Sequence, residues 1–198
     1  MEWVVSLFAG VGLAAATGFR VFVPLLGMSV AAKMGILTLS PGFDWLSSPV
    51  AMGALAIATV LEVGTYFVPW LDNAMDTIAT PAAVGAGTVA ALSVLGDGSP
   101  FLAWVLAIIA GGGTAGVVHA GTAGARAVST ASTGGVANPA LALGELVASV
   151  SMTVISILVP IVAGVLVIVL LGWAARRIRA WRARGASGSG AAASRPGT

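Results

Sequence analysis

Cysteine is absent from all 198 residues, and histidine and tyrosine occur once each. The first absence excludes disulfides and thiolate metal sites and leaves the compartment open. The single histidine, His119, excludes a zinc site built on several imidazoles, and no H-E-x-x-H stretch exists. Charge is the next scarcity: 8% of residues carry one, against about 25% in ordinary soluble proteins. No Walker, Rossmann or G-x-S-x-G signature stands in its required context, and no nucleophile stands beside a general base. The sequence therefore predicts no enzyme chemistry, no cofactor and no metal.

What fills the chain instead is apolar. Hydrophobic residues make up 58% and the mean hydropathy is +1.03, the composition of a polytopic membrane protein. Residues 1–175 carry three cations, Arg20, Lys33 and Arg126, against all seven acids, while the stretch from Arg176 onward holds six arginines and no acid. That division predicts a transmembrane helical domain over 1–175 and a basic tail over 176–198, disordered from 185. Glu2 stands where a secretory signal wants positive charge, although Ala14-Ala15-Ala16 looks superficially like a cleavage site, so the first apolar run is expected to stay in the mature protein.

Proline after a small polar residue marks helix starts at Ser48-Pro49, Thr80-Pro81, Ser99-Pro100 and Asn138-Pro139, because the polar side chain can cap orphan amides and proline at the first position loses nothing. The run after Pro81 is short for a span, so its helix is expected to begin near Asp72 and kink at the proline. The two terminal runs are too long. Trp3 to Ala32 makes about 45 Å of helix and Pro139 to Trp173 about 52 Å, against a hydrocarbon core near 30 Å. Gly18 with Pro24, and Pro160, are the expected breaks, with bent helices that protrude; Gly111-Gly112-Gly113 is a third. The arginines with Trp173 and Trp181 place the tail in the cytoplasm by the positive-inside rule. The Lys33–Ser48 loop is expected on that same side and the Asp72–Asp76 segment opposite.

Displacing the chain by 106 residues aligns Gly10, Val11, Ala14, Gly18 and Arg20 with Gly116, Val117, Ala120, Gly124 and Arg126. This is either an internal repeat of the kind small transporters carry or a coincidence of Gly-, Ala- and Val-rich sequence. Arg20 and Arg126, inside apolar runs, can present a planar cation to an anionic ligand or to an internal carboxylate, or snorkel to headgroups. Glu62 and Glu145 are the acids set well inside apolar spans, and the expectation is at least one Arg–Glu contact, with Glu62 tested as the partner of Arg20. His119 either relays protons or is a hydrogen-bonded structural residue. Asp72 and Asp76, four apart on one helical face, suit a cation or a proton-handling pair, but the favoured reading is a plain N-cap with first-turn acids facing the positive helix dipole. The glycines from Gly111 to Gly124 suit close helix packing.

Three stretches together carry a family resemblance: Gly18-Phe19-Arg20-Val21-Phe22-Val23-Pro24, Leu61-Glu62 through Val68-Pro69-Trp70-Leu71-Asp72 to Asp76, and His119 through Arg126 to Asn138 and Glu145. Over roughly residues 5 to 172 the chain resembles a bacterial membrane family catalogued as domain of unknown function 4126. The resemblance implies a compact multi-helix membrane fold and no established activity. The chain departs from that pattern at Tyr66-Phe67, where an Asp-Lys pair is expected before the proline, and at Thr122, where a Lys is expected after the histidine. No ligand is carried over from the family's charged residues.

The expectation is an all-α, multi-pass helix bundle of five to six segments in the bacterial inner membrane. Its leading function is transport or channel-like passage of a small polar or ionic solute through a centre of Arg20, Glu62, His119, Arg126 and Glu145, with Asp72 and Asp76 secondary. The alternative is a non-catalytic membrane scaffold or assembly partner in which the same charges pair internally. A water-filled cavity at these residues favours the first, and closed ion pairs in a dry core the second. The expected partners are the lipid bilayer and, at the arginine-rich tail, anionic headgroups rather than nucleic acid; a homo-oligomer is compatible with the composition.

Overall fold

In the computed structural model the described residues are 2–65, 69–96 and 99–192, with the side chains of 69–78, 178 and 180–192 outside the description. Among the described residues there is no strand. The helices are α1 (Glu2–Phe19), α2 (Phe22–Lys33), α3 (Pro49–Gly64), α4 (Pro69–Leu92), α5 (Pro100–Leu106), α6 (Gly113–Thr133), α7 (Asn138–Leu158) and α8 (Pro160–Ala192). A π-helical stretch, Ala107–Gly112, joins α5 to α6 in one rod. Four of these rods are long and apolar enough to cross a membrane: α1, Pro100–Thr133, α7 and the first part of α8. The protein is an all-α membrane bundle.

Both terminal runs break where expected, and both turn back rather than protrude. Along α1, Arg20 meets the carbonyl of Ala142 and the carbonyl of Ala16 meets Ser149. Gly12 lies against Ser156, so α7 runs antiparallel to α1. Past Val159, the same Gly12 meets Ala163, and Val167 packs with Ala15 and Val118. Thus α8 runs parallel to α1 and back along α7. At the first break, Val21 packs against Ala83 and Ala86, while Met28 packs with Ala9 and Leu13, which returns α2 along α1. Pro160 and Pro24 both sit in a first helical turn, where a missing amide costs nothing.

These reversals correct the expected sidedness. Leu37 and Leu39 pack with Ala9 and Val94 and Phe43 with Leu7 and Leu92, so the Lys33–Ser48 loop lies at the end of the bundle where α1 begins. Leu171 packs beside Phe19 in the Ala15, Val118 and Val167 cluster, so α8 carries the basic tail to the other end. Loop and tail were expected together because the last apolar run was counted as a single crossing. α8 also continues through residues 185–192, expected to be disordered, since extending an existing helix needs only one bond per residue fixed. We expect a single cysteine introduced at Gly42 and one at Ala186 to label from opposite faces of right-side-out vesicles; labelling of both from one face would refute the two hairpins.

The marked helix starts divide in the structure. Ser48 caps α3 by accepting from the amide of Ala51. Thr80-Pro81 lies inside α4, which begins upstream as expected. Ser99 precedes α5 with no side-chain cap bond, and Asn138 turns its amide to Thr130 instead. The glycine triplet does not break its rod. A Cβ on Gly111 would stand 2.8 Å from the carbonyl oxygen of Gly87, and one on Gly112 2.6 Å from Thr88 Oγ1, so the glycines let the π-helical stretch press onto α4.

Candidate functional site

The reversal between α1 and α2 creates a local problem. It leaves the amides of Val21 and Phe22 at a helix N-terminus without intrahelical partners, inside an apolar body where an unpaired amide is costly. Glu62, near the end of α3, solves it. Val21 N donates to Glu62 Oε1 at 2.6 Å and Phe22 N to Oε2 at 3.0 Å, and the carboxylate also faces the positive end of the α2 dipole. We expect Glu62→Ala to cost about 1–3 kcal/mol, the penalty of orphaned buried amides, in detergent unfolding. Glu62→Gln should cost less because its carbonyl oxygen still accepts one bond; equal losses would mean that the capping is not what Glu62 contributes.

The same reversal puts Arg20 at the tip of the hairpin, 2% exposed. Its Nη2 donates to the carbonyl of Ala142 at 2.7 Å and lies 3.3 Å from Glu145 Oε2. Arg126 arrives from α6, two turns before the end of that helix. Its Nε donates to Glu145 Oε1 at 3.0 Å and its Nη2 to Oε2 at 2.9 Å, a two-pronged pair that only a guanidinium can make. One arginine from the α1–α2 turn and one from α6 thus converge on one carboxylate of α7, and Arg126 and Glu145 are each 7% exposed. Glu62 lies close enough to feel both Arg20 and Glu145 electrostatically.

The expected Arg–Glu contact is present, but Glu145 is shared by both arginines while Glu62 serves the α2 amides. The two arginines do reach a common centre, yet not from opposite sides: Ala91 lies against both Gly10 and Gly111, while Gly18, farther along α1, meets Ala115 and Val118, so α1 and the Pro100–Thr133 rod run parallel. His119 is buried on α6, two turns before Arg126. Among the described residues no hydrogen bond joins its ring to the centre. Asp72 and Asp76 have side chains outside the described residues. Sequence reasoning missed the Ala142 carbonyl and the Val21 and Phe22 amides, and a backbone acceptor carries no signal in residue type. Arg176, Arg177 and Arg179 are exposed. Among the described residues no cluster of His, Asp and Glu suited to a metal ion occurs.

An all-α bundle with long apolar rods and a buried Arg–Glu–Arg triad defines an integral membrane protein. The family model of the Domain of unknown function (DUF4126) matches residues 7–180, and the chain belongs to that family. No curated protein and no solved structure matches it.

Proposed function

We propose that the chain is a small transporter or channel-like protein of the bacterial cytoplasmic membrane, with its tail in the cytoplasm, that handles a small polar or ionic solute at the Arg20–Glu145–Arg126 centre. The observation that carries the reading is the delivery of two guanidiniums, one from a helix reversal and one from a continuous span, to a single carboxylate within the apolar body. Ionisable groups placed so are costly and mark solute or ion pathways, and discontinuous helices are where transporters build their sites. The arginines beyond Trp173 support the cytoplasmic tail and its attraction to anionic headgroups.

A scaffold or assembly role is the second reading, and the closed Arg126–Glu145 fork is the arrangement expected for it, so the transport reading requires that fork to open to admit solute. Flux into liposomes holding the purified protein, measured against a panel of small anions and cations, separates the two. Transport requires a selective flux that Arg126→Lys, which keeps charge but loses the fork, reduces. Flux no greater than that of empty liposomes across the panel moves the assignment to the scaffold.

A further inference from the structure

The charged centre lies much nearer one end of the bundle than the other. Arg126 is seven residues from the end of α6 at Thr133, about 10 Å of helix, and Glu145 is seven residues from the start of α7 at Asn138. The turn that joins these two helices, residues 134–137, is at the tail end, because α6 runs the same way as α1 and Leu171 packs beside Phe19. In the other direction α7 continues from Glu145 to Leu158, about 20 Å.

The polar groups in the two directions are used differently. Toward the loop end the hydroxyls of α7 are buried and spent: Ser149 Oγ donates to Ala16 O at 3.0 Å, Thr153 Oγ1 to Ser149 O at 2.7 Å and Ser156 Oγ to Met152 O at 2.6 Å. Gly12 presses against Ser156 there and closes the seam. Toward the tail end polar atoms are left over. Ser129 lies three residues after Arg126 on the same face of α6, with about 5–6 Å between the two Cβ atoms. It is 9% exposed, and its enclosed Oγ meets no hydrogen-bond partner among the described residues. Asn138 lies two turns before Glu145 on the same face of α7. Its Nδ2 donates to Thr130 Oγ1 at 3.0 Å, while its enclosed Oδ1 likewise meets no partner among the described residues. Enclosed polar atoms of this kind are costly unless something bonds them.

We propose that water enters the bundle from the tail side at the α6–α7 turn and reaches as far as Ser129, beside the closed Arg126–Glu145 fork, while the loop side of the fork stays dry. The occupant must donate to Asn138 Oδ1, which only accepts, and exchange a hydrogen bond with the Ser129 hydroxyl, which both donates and accepts. Water does both, and a bare anion cannot donate. Bonding otherwise unsatisfied buried groups is also the ordinary role of internal water. The inference deepens the transport reading, on which its functional meaning rests: solute approaches the centre from the tail side, and opening of the fork is the last step.

The absence of native cysteine makes the test direct. Ser129→Cys and Ser149→Cys are made separately in the full chain, placed in vesicles with the tail face outward and exposed to Ag+, a thiol-binding ion close to water in size. Thiols left free are counted with a fluorescent maleimide after unfolding. Ser129→Cys should be blocked about tenfold faster than Ser149→Cys, since the second position, fully buried beyond the fork, is reached only by local opening. With the loop face outward that difference should vanish. Asn138→Cys, nearer the turn, is the second reporter should Ser129→Cys fail to fold, and should be blocked at least as fast. Equal blocking of positions 129 and 149 from the tail face would overturn the proposal, as would faster blocking of Ser149→Cys from the loop face. Blocking of Ser129→Cys without solute flux keeps the water path and moves the function to the scaffold. Selective flux with Ser129→Cys unblocked overturns the path and leaves the transport reading standing.

Discussion

Glu145→Ala should destabilise the protein by about 3–5 kcal/mol, the cost of removing one partner from a buried charge pair. Its carboxylate receives both prongs of Arg126 and lies 3.3 Å from Arg20. Removing it takes from both guanidiniums the carboxylate at which they meet, so the repulsion between them is no longer offset there. Glu145→Gln keeps the shape and one acceptor and should recover part of the loss. Reversible unfolding in mixed detergent reads both variants. A Glu145→Ala protein as stable as the parent would mean that water reaches these arginines and that the triad is not a closed structural element.

Gly18→Ala is the second large effect. A Cβ there would stand 2.6 Å from the carbonyl oxygen of Ala115 and 2.6 Å from Val118 Cβ, and a backbone oxygen in the first turn of α6, continuous with the π-helical stretch before it, cannot swing aside as a flexible side chain can. Relief requires α1 and α6 to separate, which strains the Arg126 and Arg20 approach to α7, and overpacking of this kind costs about 1–3 kcal/mol. Gly53→Ala is the control: nothing lies within 4 Å of its Cβ position, so replacing glycine in a helix interior should be neutral or stabilising by about 0.5–1 kcal/mol. Thermal unfolding should therefore move the two variants in opposite directions. A tolerated Gly18→Ala would show that the helices pack less closely than described.

The convergence of Arg20, Arg126 and Glu145 was legible because a charge inside an apolar run has few acceptable environments, and opposite charges at similar depth tend to find one another. The identity of the pairs was not legible. Glu62 was available as a partner for Arg20, and only the reversal at Val21 creates the two amides that claim it. That reversal left no mark in composition, since the polar group that satisfies the turn comes from a residue 40 positions away. Pro24 and Pro160 announced breaks, but a proline in a first helical turn fits a kink and a full reversal alike. The expected sidedness of the loop failed for that reason. The glycine triplet signalled an irregularity without its kind: glycine permits a break, and it equally permits the close approach to Gly87 that holds the rod together as a π-helix.

Arg20 and Arg126 meet at the carboxylate of Glu145 within the apolar body, and a double-mutant cycle on Arg126 and Glu145 measures how strongly that carboxylate couples to the guanidinium it pairs with. Unfolding free energies of Arg126→Ala, Glu145→Ala and the double variant, in one detergent system, give the coupling between the two positions. A coupling of about 2 kcal/mol or more is expected, with the double variant milder than the sum of the singles, because it leaves neither the Arg126 guanidinium nor the Glu145 carboxylate facing a missing fork partner, although Arg20 still loses Glu145. Additivity within about 0.5 kcal/mol would contradict it, since two groups joined by a buried fork cannot act independently.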